Sequence, residues 1–124
     1  MNLLLDTHIL LWALNDDSRL SEAHRDLIVD PRTRVFYSSV SIAEISIKAA
    51  LGKLDAPEGM ADYARQSGME SLGFVDEHAE ELRYLPWHHR DPFDRMLVAQ
   101  AKVEELAFAT VDPRFAEYEG IRIV

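Results

Sequence analysis

Five acidic residues stand at points of the sequence where a carboxylate can do chemistry as well as serve the fold. They are Asp6, Glu44, Asp91, Asp94 and Asp112. Carboxylates that gather without a fixed cation repel one another, so such a cluster has raised pKa values or requires counter-ions. Mg²⁺ and Mn²⁺ supply that charge, prefer oxygen ligands and need only a few carboxylates. Two such ions about 4 Å apart can hydrolyse a phosphodiester, which is the chemistry that this set of residues could perform.

Helix capping is the competing interpretation for each acid taken singly. The pairs Asp91–Pro92 and Asp112–Pro113 both suit the start of a helix, with the aspartate as N-cap and the proline as first residue. Asp6 could cap the helix that follows it. The run from Ser41 to Glu44 matches a capping box, and Glu44 could also form an ion pair with Lys48, one helical turn later.

The segments that must position these acids are predicted to alternate between strands and helices. The strands are expected at residues 3–5, 35–37, 71–75, 107–109 and 121–124. This order favours an α/β fold with a parallel sheet covered by helices on both faces. Ligands bind outside the carboxyl ends of the strands in such sheets, where helix N-termini also converge. Each acid follows a predicted strand or opens a predicted helix, so all five are predicted to meet on one rim.

Composition limits the remaining choices. The 124 residues predict one domain, residues 1–124, and the absence of cysteine excludes disulfides, zinc–thiolate sites and a cysteine nucleophile. The net charge of −9 argues against binding nucleic acid by bulk electrostatics, although it allows a nuclease whose acids hold cations. No secretory signal or membrane-spanning run is present in the sequence, so we expect a cytoplasmic protein without membrane contact.

Two further groups of residues could contact a nucleic acid. A local basic rim for phosphates is one hypothesis, with an ordinary solvated loop as its alternative; its members would be Lys48, Lys53, Arg83, His88, His89, Arg90 and Arg95. Trp12 and Trp87 could stack on bases, but packing in the core or in a loop is favoured for both.

Four motifs resemble a known family. They are Leu4-Leu5-Asp6-Thr7-His8; Ser41-Ile42-Ala43-Glu44-Ile45 with Lys48 and Gly52-Lys53-Leu54; Asp91-Pro92-Phe93-Asp94-Arg95 with Ala99-Gln100-Ala101; and Thr110-Val111-Asp112-Pro113-Arg114-Phe115. In this order and at these spacings they resemble the PIN domain and, more narrowly, the VapC-type ribonuclease toxins of bacterial toxin–antitoxin pairs.

The resemblance implies a Rossmann-like α/β/α sandwich with a central parallel sheet of about four or five strands. It also implies a Mg²⁺- or Mn²⁺-dependent endoribonuclease. Asp6, Glu44 and Asp94 match the three core acids of the family, and Asp112 matches the fourth. Asp91 matches an additional acid of this branch. The implied supporting residues are Thr7, Thr110 and Arg95.

The same resemblance implies an RNA substrate, a cognate VapB-type antitoxin and a homodimer, with a higher toxin–antitoxin assembly as an option. In the expected reaction, water attacks the phosphodiester in line, metal held by Asp6, Asp94 and Asp112 neutralises the developing charge, and Glu44 ligates metal or orients the water. Two alternatives stay open, namely a PIN-like protein-interaction module without nuclease activity and a metal-dependent phosphatase. The absence of a DxD pair after the first strand disfavours the phosphatase.

Overall fold

A four-stranded parallel sheet forms the centre of the computed structural model, which describes residues 1–124. The strands are β1 (Asn2–Leu5), β2 (Arg34–Ser38), β3 (Glu70–Leu72) and β4 (Ala107–Ala109), and their order in the sheet is β3-β2-β1-β4. β1 therefore pairs with β2 on one side and with β4 on the other. Its leucines Leu3, Leu4 and Leu5 are completely buried, as expected for a short apolar run in a parallel sheet.

Helices cover both faces of this sheet. The α-helices are α1 (Thr7–Leu14), α2 (Glu22–Val29), α3 (Ser39–Ala50), α4 (Met60–Gln66), α5 (Asp76–Glu81) and α6 (Pro92–Val103), and two 3₁₀ helices span Leu82–Tyr84 and Pro113–Glu117. Successive strand residues point to opposite faces. Leu3 and Leu5 accordingly join a core of 15 buried residues with α1 and α4, whereas Leu4 joins a second core of 11 with α6. The predicted α/β/α sandwich is confirmed.

The strand order creates a switch point beside β1. The chain runs from β1 outward to β2 and β3 on one side, and β4 occupies the other side. The connections that leave the carboxyl ends of β1 and β4 therefore diverge and leave a crevice between them, which is where ligands bind in open α/β sheets. Asp6 follows β1 and Asp112 lies just beyond β4, so both residues border this crevice.

Three predictions about individual elements were wrong. Residues 121–124 do not form a fifth strand, because only Ile123 pairs with β4, in a single bridge to Phe108. The third strand ends at Leu72 instead of residue 75. The capping box from Ser41 to Glu44 does not exist, since Ser38 caps α3 through its hydroxyl, which accepts a hydrogen bond from the Val40 amide.

The earlier start of α3 moves Glu44 from the predicted first turn of the helix into the second turn. Its side chain is therefore free of any capping role and turns toward the carboxyl end of β1, where it meets Thr7. None of the helices has both the length and the hydropathy needed to cross a membrane.

Candidate active site

Asp6 lies at the carboxyl end of β1 and is held by two hydrogen bonds. It is the N-cap of α1, and its Oδ1 accepts a hydrogen bond of 2.8 Å from the Thr7 amide. Its Oδ2 accepts one of 2.7 Å from the Thr110 hydroxyl. Burial raises the pKa of the Asp6 carboxyl, and the hydrogen bonds from Thr110 and Thr7 offset only part of that effect. The predicted capping role is confirmed, and the carboxylate still faces the site.

Glu44 projects from α3 toward the same place. It is 5% exposed, and its Oε1 accepts a hydrogen bond of 2.9 Å from the Thr7 hydroxyl. Its Oε2 accepts a hydrogen bond from the Lys48 ammonium, which confirms the predicted pair one turn apart. That hydrogen bond raises the pKa of Lys48, and the charges of Asp91 and Asp94 add to the effect. Lys48 therefore lies within the field of the acids.

Two threonines join the acids into one hydrogen-bonded network. Thr7 contacts Asp6 through its amide and Glu44 through its hydroxyl. Thr110 donates its hydroxyl proton to Asp6, and its oxygen accepts a hydrogen bond of 3.1 Å from the Asp112 amide. Thr110 directly follows β4 and Thr7 stands two residues after the end of β1, so the sheet itself sets the positions of both threonines.

Asp91 and Asp94 enter from the start of α6. Asp91 is the N-cap, and its Oδ1 accepts a hydrogen bond of 2.8 Å from the Phe93 amide, as predicted. Asp94 is the third residue of the helix. Burial first, and then the charges of Asp91, Asp6, Glu44 and Asp112, together raise the pKa of Asp94 to about 7. The structure thus brings all five acids close enough to act on one carboxyl group.

Asp112 faces Asp94 from the segment that follows β4. Arg114 lowers the pKa of Asp112 through hydrogen bonds to both carboxylate oxygens, the shortest of which is 2.8 Å. His89 lies on the other side, with its Nε2 3.1 Å from Asp112 Oδ2. One potential ligand atom from each of His89, Asp94 and Asp112 lies within 4.8 Å of the other two. Asp6 and Glu44 stand outside this compact set and connect to it through the threonines.

The donor set fits a hard divalent cation. Lys48 neutralises Glu44 and Arg114 neutralises Asp112, but no ion pair of the protein reaches Asp6 or Asp94. Asp6 and Asp94 are thus partly desolvated carboxylates without a cation, and the raised pKa of Asp94 reflects its burial and the neighbouring negative charges. Clustered carboxylate oxygens are the ligands that Mg²⁺ and Mn²⁺ prefer. The identity of the ion and the role of each acid as a ligand stay predictions.

The hypothesis of a basic rim is wrong for two of its members. Arg95 is 6% exposed, and its guanidinium donates to backbone carbonyls of the preceding loop, including those of Pro86 and Leu85 at 2.8 and 3.2 Å. It therefore holds that loop instead of supporting a phosphate. His89 is also buried, at 1% exposure, and contacts Asp112. Its position in the acidic site was not predicted, because no metal-ligand spacing of histidines marks it in the sequence.

The tryptophans differ from each other. Trp12 packs against the core of α1 and α4, so the favoured packing interpretation is confirmed for it. Trp87 is 77% exposed and stacks over the Arg95 guanidinium, 3.8 Å from its ring centroid. It is therefore not part of the core, and stacking on a nucleic-acid base stays the alternative hypothesis.

Comparisons with known proteins agree with this geometry. The sequence model of the PIN domain matches residues 3–121. A chain in the crystal structure of VapBC2 from Rickettsia felis, bound to a DNA fragment from its promoter, is similar over 100% of this protein and 98% of that chain, with a TM-score of 0.74 and 17% identity. A chain in the crystal structure of DNA-bound VapBC from Salmonella typhimurium is similar over 100% of this protein and 97% of that chain, with a TM-score of 0.65 and 22% identity.

A third similar structure is VapBC-5 from Mycobacterium tuberculosis, described as a member of the VapBC family of toxin–antitoxin systems. The likeness covers 99% of this protein and 97% of that chain, with a TM-score of 0.61 and 22% identity. Comparison with curated protein sequences gave no significant match. At these identities the solved structures establish the fold, and the sequence model establishes the family: this chain belongs to the PIN domain family.

Proposed function

We propose that this protein is a divalent-metal-dependent endoribonuclease and the toxin of a toxin–antitoxin pair. The observation that carries the proposal is the position of Asp94, whose carboxyl stands among four other acids at the switch point of the sheet and has no cationic partner. A structural cap would not require so many like charges in one place. The PIN fold and the similarity to VapBC complexes support the choice of nuclease chemistry.

Asp6, Asp94 and Asp112 are the residues that would hold the cation, and Glu44 would ligate it or orient the attacking water. When bound, a divalent cation supplies positive charge for the phosphodiester transition state and makes water a better nucleophile. Thr110 and Thr7 fix the orientation of the Asp6 and Glu44 carboxylates through their hydroxyl groups.

The remaining groups of the site act on the substrate. The N-terminus of α6 presents the positive end of its dipole beside the place where a phosphate would lie. The side chain of Lys48 is 38% exposed and provides a cation beside the acids. Water then attacks phosphorus, the bond to the 3′ oxygen breaks, and the products carry a 5′-phosphate and a 3′-hydroxyl. The net charge of −9 predicts weak RNA binding when no metal is present.

Incubation of purified protein with structured RNAs in Mg²⁺, in Mn²⁺ or in EDTA tests this function. We expect cleavage that EDTA abolishes and that is lost in Asp94→Asn, with the two ends identified by their sensitivity to phosphatase and kinase. Asp62→Asn is the matched control, because Asp62 is exposed in the first turn of α4, and it should cleave like the wild type. Metal-independent cleavage, or full activity in Asp94→Asn, would refute the proposal.

We also propose a VapB-type antitoxin as partner and a homodimer as the active assembly. The similar structures, which are described as VapBC, support the antitoxin, and the homodimer is what the resemblance to VapC-type toxins implies. Co-expression with the product of the open reading frame just upstream should abolish RNA cleavage, and light scattering should give twice the mass of 14.2 kDa. A monomer that cleaves RNA, or an upstream product that does not bind, would contradict these two assignments.

A further inference from the structure

The imidazole of His89 is fixed on every side. Its side chain has no exposed surface, and its Nδ1 lies 3.0 Å from the Tyr118 hydroxyl while its Nε2 lies 3.1 Å from Asp112. The ring packs on Phe115 at a centroid distance of 4.2 Å and lies parallel to the Tyr118 ring at 5.6 Å. Each ring nitrogen thus has a hydrogen-bond partner and the ring packs against two aromatic side chains, so the imidazole has a single orientation.

These partners decide which nitrogen carries the proton. The Asp112 carboxylate also accepts hydrogen bonds from Arg114, and an ionised carboxylate can only accept. His89 must therefore donate from Nε2. In a neutral imidazole the other nitrogen is then an acceptor, and the Tyr118 hydroxyl is the group that donates to Nδ1.

Two roles are compatible with the position of His89, and the presence or absence of a proton on its Nε2 distinguishes them. A bare Nε2 could ligate a metal ion together with Asp94 and Asp112, since the three ligand atoms lie within 4.8 Å of one another. A protonated Nε2 has no lone pair to give and instead holds the carboxylate. Mg²⁺ and Mn²⁺ also prefer oxygen to nitrogen. The hydrogen bonds and the preference of these ions both favour the second role.

We propose that His89 is a positioning residue: its Nε2–H orients the Asp112 carboxylate, and the Tyr118 hydroxyl holds the ring in place from Nδ1. The assignment of a divalent cation as the ligand of Asp112 rests on the proposed function. The histidine links two separate parts of the site, because Asp94 belongs to α6 and Asp112 to the segment after β4.

The link is rigid at both ends. The loop that carries His89 is anchored to α6 by Arg95, whose guanidinium donates to the carbonyls of Pro86 and His89 at 2.8 and 3.5 Å. The ring then reaches Asp112 in the segment after β4. His89 thereby sets the separation of Asp94 and Asp112. Loss of an outer partner of a metal-ligating group typically costs about 10–100-fold in metal affinity.

The tautomer can be measured directly by long-range ¹H–¹⁵N NMR of the metal-free protein. We expect His89 in the Nε2-protonated form, and we expect that form to persist when Mg²⁺ is added. His24 is an internal reference, because its Nε2 lies 2.9 Å from the Val124 carbonyl oxygen, away from the acids, and its resonances should not change. A proton on Nδ1 of His89, or loss of the Nε2 proton when Mg²⁺ is added, would overturn the proposal and make His89 a ligand.

Titration calorimetry with Mn²⁺ tests whether the contact between His89 and Asp112 supports metal binding. His89→Leu should weaken Mn²⁺ binding about 10–100-fold, whereas His89→Gln, whose amide can donate from the place of Nε2, should restore most of it. Equal affinity in His89→Leu and the wild type would overturn the proposal. If His89→Leu does not fold, Tyr118→Phe replaces it. We expect His89 to keep its Nε2 proton, because Asp112 still accepts it, and Mn²⁺ binding to weaken, because the ring loses the anchor at Nδ1. Unchanged affinity would refute the role of Tyr118.

These measurements use no RNA. Absence of RNA cleavage would therefore refute the proposed function and leave the result for His89 standing. If the wild type binds no Mn²⁺, the metal assignment fails, and the NMR tautomer alone decides whether His89 donates to Asp112.

Discussion

Asp94→Asn should make the metal-free protein more stable at neutral pH, although it removes a residue on which the proposed activity depends. In the folded protein the pKa of Asp94 is raised from 3.8 to about 7, first by burial and then by the neighbouring acids. The unfolded chain has no such burial, so the folded state binds the proton more tightly. The stability that this proton confers is fully present below pH 4 and is lost as the pH rises through about 7.

The size of the effect follows from the same values. The difference in pKa corresponds to roughly 4 kcal/mol at about 1.36 kcal/mol per pKa unit. Asp94 is only half-buried, so solvent screening reduces the cost of its charge to about 1–2 kcal/mol. The favourable interaction of an acid with the N-terminus of α6 contributes about 0.3–1 kcal/mol in the opposite direction. The cost of the charge is larger, so the asparagine variant should be the more stable protein above pH 7.

Urea unfolding in EDTA, at several pH values from 4.5 to 8, measures this difference. We expect the stability advantage of Asp94→Asn over the wild type to grow across that range and to become constant above pH 7. Glu22→Gln is the control, because Glu22 is an exposed acid in the first turn of α2 and its loss should be slightly destabilising at neutral pH. An asparagine variant that is less stable than the wild type at pH 8, or an advantage that does not depend on pH, would refute the reasoning.

Three further substitutions test other contacts of the site. Lys48→Met leaves the buried Glu44 carboxylate without its cation. The free energy of unfolding in EDTA should therefore fall by about 1–3 kcal/mol, and Mn²⁺ should restore it. An unchanged midpoint of urea unfolding would contradict this role of Lys48. Thr110→Val removes the hydrogen bond to Asp6 without a change of side-chain shape. Calorimetry should show an affinity for Mn²⁺ that is about 10–100-fold weaker. An affinity equal to that of the wild type would mean that Thr110 does not orient Asp6. Arg95→Ala should lower the free energy of unfolding by about 2–3 kcal/mol, because several loop carbonyls lose their hydrogen-bond donor. Ordinary surface substitutions change it by less than about 0.5 kcal/mol. A loss within that range would argue against the anchoring role of Arg95.

The sequence predicts most of the fold because its local signals agree with one another. The apolar run at Leu3–Leu5, the proline at the start of α6 and the alternation of strands with helices all favour the same α/β sheet. The fifth strand fails for a tertiary reason. Residues 121–124 have strand-forming side chains, but they meet β4 only around Phe108, so a bridge forms instead of a ladder.

The positions of three acids could be predicted because each of the three is tied to the end of an element. Asp6 caps α1, Asp91 caps α6 and Asp112 caps the 3₁₀ helix after β4, so the strand order brings them to the same crevice. Capping and clustering are therefore compatible, although each acid taken singly suggested a choice between the two. The caps orient the segments on which the carboxylates stand.

The supporting contacts could not be predicted in the same way. His89 meets Tyr118 and Asp112, which lie 29 and 23 residues further along the chain. Arg95 follows Asp94 directly, and a charged residue at that place resembles a phosphate-binding group until the loop carbonyls around it are known. Contacts between distant segments of the chain leave no periodic pattern in the sequence.

The shift of the melting temperature by Mn²⁺ tests the central claim most directly, namely that Asp6, Asp94 and Asp112 belong to one cation site. A ligand that binds only the folded state stabilises it in proportion to the logarithm of its concentration, by about 2.7 kcal/mol at 100 times Kd. We predict a rise in the melting temperature of the wild type with millimolar Mn²⁺, and no rise for Asp6→Asn or Asp94→Asn. A wild type that does not respond, or asparagine variants that respond equally, would contradict the account.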